Sequence, residues 1–225
     1  LLLKSSIVIS SVLLFLFHYV SAQSTWSLST DFGALRSLKE NQQFWTMGHT
    51  IKGEMHVTKK SGPYAWVSYF FRSQFKNNLL AEAKSSATTP SSFSFRNNAR
   101  MSITEFSLGW KHYLKGSCDN FKTWNLYTTA GFGLIAGKVL NSFDRPVDTS
   151  LYKTPLLSGE ASFKRLAVDL GLGWELPVTG EIFLYNDWKA WIPASDYPSP
   201  YLLSNRYAPL IVSFHMGIRV YFDSY

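Results

Sequence analysis

From residue 25 onward the chain is written in an alternation of apolar and polar positions with a period of two, and no segment carries a helical period. In 209–222, one set of alternate positions reads Leu210, Val212, Phe214, Met216, Ile218, Val220 and Phe222. The set between them reads Ile211, Ser213, His215, Gly217, Arg219 and Tyr221. The same pattern returns about every 25 residues and predicts eight strands, at 25–38, 47–58, 63–75, 101–114, 124–138, 161–175, 181–192 and 209–222. At roughly 12–15 residues each, they are longer than the usual strand of a water-soluble sheet.

The connections have a rhythm of their own. Short ones at 59–62, 115–123 and 176–180 alternate with longer polar stretches at 39–46, 76–100, 139–160 and 193–208. The long stretches are rich in Ser, Thr, Pro and Asn, as loops are. An even strand count with short turns at one end and long loops at the other predicts an all-β, eight-stranded antiparallel up-and-down barrel of the transmembrane kind. No internal repeat or linker marks a second domain.

Side-chain volume decides which face looks inward. The apolar parity carries Trp26, Leu28, Phe32, Ile51, Met55, Val57, Val67, Tyr69, Phe71, Phe75, Phe106, Leu108 and Trp110. It continues through Trp124, Leu126, Phe132, Leu134, Leu166, Val168, Leu170, Leu172, Trp174, Ile182, Leu184 and Trp188 to the last strand. An eight-stranded barrel has room inside for ordinary side chains only, so this face points outward, and a face so apolar needs lipid, not water, around it. Arg36, the single unpaired charge on that parity, lies at a strand end where it can reach headgroups. Trp26, Trp110, Trp124, Trp174 and Phe222 fall near the short turns and are expected to form an interfacial belt.

The opposite parity holds Asp31, Lys52, Glu54, His56, Arg72, Glu105, Lys111, Arg165, Asp169, Glu175, Glu181, Asp187, Lys189, His215 and Arg219. Histidines aside, these are seven acids and six bases. Near-balance is what a closed interior requires, because a buried charge is tolerable only with a partner. Asp31, Glu54, Arg72, Glu105, Lys111, Asp169, Glu175, Asp187, Lys189 and Arg219 are therefore expected to form a luminal charge network.

Composition adds a location. Residues 1–22 read as an export signal, with Lys4 in the positive region, an apolar stretch at 7–17 and small residues in Val20–Ser21–Ala22, which leaves 23–225 as the barrel domain. Aromatic and charged residues each make up 16% of the chain, an unusual balance for an exported soluble domain without disulfides. The lone Cys118 cannot form an internal disulfide, and no Cys/His spacing suits zinc. The charge of +7, or +6 once Lys4 is removed, is mild. In an exported chain it points to lipopolysaccharide phosphates and not to nucleic acid.

With the leader, the eight strands, the alternating connections and the aromatic terminal stretch Tyr221–Tyr225 in place, the chain resembles the small eight-stranded outer-membrane barrels of the OmpA transmembrane-domain and OmpX type, including barrel-only proteins of Bacteroidetes. The terminal stretch resembles an assembly signal, although those signals most often finish on Phe and this one finishes on Tyr225. The resemblance implies a packed barrel in the bacterial outer membrane, with termini in the periplasm, loops at the cell surface and no cofactor or metal. Its function would be surface contact or assembly with a partner, and the basic segment carrying Lys76, Lys84, Arg96 and Arg100 against Glu82 suits that role.

Two other functions are weighed. Lipid A-modifying barrels gather His, Ser and an acid; here no His has Ser two residues after it, His56 has only Thr58, and His49 would need loop residues such as Ser142 or Asp144. A narrow channel or apolar-ligand transporter would need an upper pocket, for which Trp66, Phe70, Phe183, Tyr185 and Trp191 are the candidate lining.

Overall fold

The computed structural model describes residues 25–195, 199–203 and 209–223, with Arg72 described by its backbone alone. The predicted leader at 1–22 and the terminal Tyr225 lie outside the described residues. The strands are β1 (Thr25–Ser37), β2 (Phe44–His56), β3 (Ser61–Ala83), β4 (Ser92–Lys115), β5 (Asn125–Phe143), β6 (Tyr152–Lys153), β7 (Gly159–Thr179), β8 (Ile182–Pro193) and β9 (Ile211–Phe222). Among the described residues no helix is long and apolar enough to cross a membrane.

Eight long strands pair antiparallel in the order β2-β1-β9-β8-β7-β5-β4-β3, and a β2–β3 pairing closes the cylinder. The last strand meets the first along its whole length, from Trp26 opposite Phe222 to Ser37 opposite Ile211. Two-residue β6 is an accessory, pairing with Glu82 and Ala83 at the end of β3. Closure leaves no open sheet edge, the condition for placing strands in hydrocarbon.

Several strands run past the predicted limits, β2 by starting at Phe44 and four others more broadly. The stretch 76–100, expected as a loop, is mostly a continuation of the β3–β4 ladder, paired from Lys76–Asn98 to Glu82–Ser92, with a tip at 84–91. β5 likewise continues to Phe143, and β7 begins at Gly159 and ends at Thr179. The reason is a second, smaller core: Ala81, Phe95 and Tyr152 are buried together, with Leu79, Phe93 and Phe143 packed against them. Beyond the barrel rim the outward positions are mostly polar, with Leu80 and Leu140 as exceptions, so the alternation persists while the overall composition looks like a loop. The result is a tall wall, β3–β4–β5–β7, standing above the shorter β8–β9–β1–β2.

Inside, the barrel is layered. At the short-turn end lie Tyr113, Cys118, Tyr127, Phe183 and Tyr221. The charged layer follows. Toward the long-loop end comes an apolar plug that includes Leu35, Phe70, Met101, Ile135, Phe163 and Trp191, capped by Leu202 from the 199–203 segment. Tight packing in the charged layer depends on missing Cβ atoms: one on Gly109 or Gly131 would sit 2.3 or 2.5 Å from the Tyr64 hydroxyl. Tyr64 in turn stacks on Trp66 at 4.5 Å.

Candidate functional site

The charged layer is built by inward positions of every long strand. Arg219 on β9 grips Glu175 on β7, donating from Nε to Oε2 at 3.0 Å and from Nη2 to Oε1 at 2.8 Å. Its Nη1 donates to Ser27 Oγ at 2.8 Å and its Nη2 also to the Cys118 carbonyl at 3.1 Å. Tyr113 and Asn125 donate to the same Glu175 carboxylate at 2.8 and 3.0 Å. Lys111 lies 3.0 Å from Glu54, which receives Lys52 at 2.9 Å, and Lys52 reaches Asp187 at 3.2 Å. Tyr127 donates to Asp187 as well. Buried ions are held here in a connected lattice of opposite charges and hydroxyls.

A second group lies around Asp31, Glu105 and Asp169. Asp31 accepts from the Tyr185 hydroxyl at 2.5 Å and contacts His215 Nδ1 at 2.8 Å. His215 Nε2 is 2.8 Å from Ser213 Oγ. Trp66 Nε1 donates to Glu105 at 3.1 Å, Ser107 donates to Asp169, and Lys189 Nζ sits 3.9 Å above the Trp66 ring. Of the predicted network, Asp31, Glu54, Glu105, Lys111, Asp169, Glu175, Asp187, Lys189 and Arg219 are all buried and face the lumen. The Arg72 side chain lies outside the described residues. Glu181, also placed inward by parity, is instead exposed in the Gly180–Glu181 turn.

The Asp31–His215–Ser213 chain is not legible as a His-x-Ser spacing, because Ser213 precedes His215 by two on the same strand face. Attack by Ser213 would need a carbonyl carbon within reach of its oxygen. The residue is only 4% exposed, and it lies one inward step below Ile211 of the plug. The chain is thus a buried hydrogen-bond relay joining β1 to β9. The five rings weighed as an upper pocket do not line one. Each is at most 2% exposed, with Phe183 at the short-turn end against Arg219 at 3.9 Å and Phe70 and Trp191 inside the plug.

The turn 116–124 folds beneath the lumen. Phe121 meets Phe183 and Tyr221, and Lys59 of the neighbouring turn pairs with Asp119 at 2.8 Å. Burial pushes Asp119 up, but the Lys59 ammonium and the Ser117 hydroxyl outweigh it and hold the carboxyl below its usual value. Burial, with Asp119 adding to it, pushes the Cys118 thiol up to about 11, so this cysteine is an inert filler.

On the outer face, Phe32 and Phe132 are 72% and 74% exposed, in a band continued by Leu28, Ile51, Leu108 and Leu172. Trp26, Trp110, Trp124 and Phe222 are exposed on this face, and Trp174 is half-buried on it. Arg36 lies over the Trp45 ring at 5.1 Å; it is not the single unpaired charge of this face, because Lys164 on β7 also points outward and makes no ion pair among the described residues. One outward assignment differs from expectation. Phe75 turns inward and stacks on Phe44 at 5.7 Å, because a bulge between Phe70 and Ser73 adds one residue and exchanges the faces beyond it. His49 points outward to Thr30 Oγ1 at 2.8 Å and packs edge-on to Phe32. It is on β2 and pairs with β1 and β3, while Ser142 and Asp144 belong to the β5 end, so the constellation weighed for lipid A chemistry is not assembled.

No family model and no curated protein matches the chain in sequence. Solved structures do match in shape. Neisserial surface protein A is similar over 88% of this chain and 97% of its own, with a TM-score of 0.55 and 10% identity. The fold is that of a small eight-stranded outer-membrane β-barrel. Ail, the attachment invasion locus protein of Yersinia pestis, aligns over 89% of this chain and 99% of its own at a TM-score of 0.49 and 10% identity. OprG of Pseudomonas aeruginosa aligns over 89% and 97% at 0.49 and 9%.

In this outer-membrane barrel fold two broad concave features lie outside the lumen. A basin of about 830 Å³ is framed by the end of β5 and the following loop, including Phe143, Asp144, Arg145 and Val147. Asp144 there accepts from the Arg96 backbone at 2.9 Å and ties the loop to β4. Asp148 is held below the usual carboxylate range by the Ser150 hydroxyl and backbone amide, which cap the turn into β6.

Proposed function

We propose that this chain is an integral outer-membrane barrel protein without catalytic turnover. Its termini and short turns lie in the periplasm, its long-loop end lies at the cell surface, and the tall wall makes contact with lipopolysaccharide or assembles with a protein partner. In this reading the luminal ions stabilise the cylinder and transport nothing. The observation that supports it best is the combination of a lumen filled from the Cys118 turn to the Leu202 cap with a wall that extends well past the rim. A sealed interior leaves the outside as the working surface.

A cysteine placed in the tip of the β3–β4 hairpin, Ser86→Cys, tests the orientation. On intact cells a membrane-impermeant maleimide is expected to label Cys at 86 and to leave the buried Cys118 untouched until the protein is unfolded. Labelling only after the outer membrane is breached would place the tall end in the periplasm and reject the proposal. Recovery in the soluble fraction would reject membrane insertion altogether.

A further inference from the structure

The outward face of the tall wall changes character just past the apolar band, and it changes in an ordered way. Two successive rows of outward positions cross β4, β5 and β7 side by side. One row is Ser102, Lys138 and Ser162; the next toward the short-turn end is Thr104, Ala136 and Lys164. These six positions surround a groove of about 500 Å³. Ala136 is its small floor, the two lysines stand diagonally across it, and three hydroxyls complete the rim. One step further down, the row is Phe106, Leu134 and Leu166, all exposed and apolar.

We infer that this groove seats the phosphate monoester of a lipid headgroup, with the acyl chains lying on Phe106, Leu134 and Leu166. Two ammonium groups and hydroxyl donors match the oxygens of a phosphate, and the apolar row below fixes the polarity of the occupant. Lys164 makes no ion pair among the described residues, and Lys138 has only the half-exposed Glu160 at 2.6 Å, a contact a phosphate can displace. Arg100, one row above on β4, extends the positive field toward the loops. The opposite wall offers no equivalent, since its outward positions at that end are Trp45, Ile192 and Val212 with Arg36 over Trp45.

The inference rests on the membrane placement proposed above, and its test separates the two. The full chain is reconstituted in phosphatidylcholine nanodiscs doped with bis-phosphorylated lipid A or with its dephosphorylated counterpart. Lipid retained through purification is then read by native mass spectrometry. The phosphorylated form is expected to be retained preferentially. Lys138→Gln/Lys164→Gln and, separately, Ala136→Glu are expected to lower retention by roughly tenfold, the scale of a charge-assisted hydrogen bond, with an unchanged heat-modifiable gel shift. Equal retention of both lipids, or variants that retain as much as the parent, would overturn the site while the barrel stays inserted. Competition by millimolar inorganic phosphate with no preference for the lipid would reassign the groove to free phosphate and overturn the lipid claim. A chain that does not insert at all overturns the membrane placement and the groove with it.

Discussion

Arg219 illustrates what a single residue does in this interior. It is 1% exposed and satisfies a carboxylate, a hydroxyl and a carbonyl from three different segments. Truncating it to Ala leaves Glu175 as a buried charge with fewer partners, the situation that typically costs about 3–5 kcal/mol. The expected outcome is a lower urea midpoint and a lower temperature for the heat-modifiable gel shift in Arg219→Ala. An Arg219→Met/Glu175→Gln pair should recover much of the loss, because the orphaned charge is removed along with its partner. If the single variant unfolds at the parent's midpoint, the lattice does not stabilise the barrel. Such residues were legible from parity alone: Asp31, Glu54 and Lys111 each fall on the polar side of a strand whose other side is apolar. Their pairing was not legible, since Arg219 and Glu175 are 44 positions apart and meet only when the cylinder closes.

At the level of the strand, alternation locates elements well and fails where the ladder is irregular. A strict period of two carried through β3 places Phe75 outward, and the bulge before Ser73 breaks that count. Nothing in the composition of Phe70–Ser73 marks the extra residue. The long β3–β4 hairpin reads as a loop for a related reason, namely that Ser, Asn and Arg recur on its outward side once lipid is left behind. The bulge makes a prediction. Deleting Arg72 removes the extra residue and restores a regular ladder with the same faces, so it should fold like the parent. Deleting Asn78 cannot be absorbed in this way: either the bulge is lost and Phe75 faces outward with Lys76 inside, or it is kept and Ala81 turns out of the small core. Limited proteolysis should then cut the 76–100 hairpin readily in the Asn78 deletion only; equal protection in both would show that register beyond the bulge is not set by side-chain parity.

For the whole molecule, the eight-strand count follows from the recurring alternation and the closed barrel from the rhythm of short and long connections, while the choice of lipid as outer solvent follows from the excess of large apolar side chains over what a narrow lumen can hold. What could not be read was how the inside is filled. Charged positions suggested a polar interior throughout, whereas Leu35, Ile103, Ile135 and Ile211, which share the inward parity, turn the long-loop half into an apolar plug. A lumen closed in this way should carry no current. Planar-bilayer recordings of the purified protein are expected to stay at baseline across the usual voltages, and discrete, reproducible steps would require an open water path that the packing denies.

The unequal height of the cylinder wall has a geometric outcome of its own. Because four adjacent strands rise and the other four stop early, the molecule has a sheltered flank and an open one. Among the described residues, a neighbour drifting in the leaflet meets only the short strands along β8–β9–β1–β2, and meets a polar parapet if it approaches from the other direction. A symmetric pipe would greet its surroundings alike from every bearing; this one carries a compass.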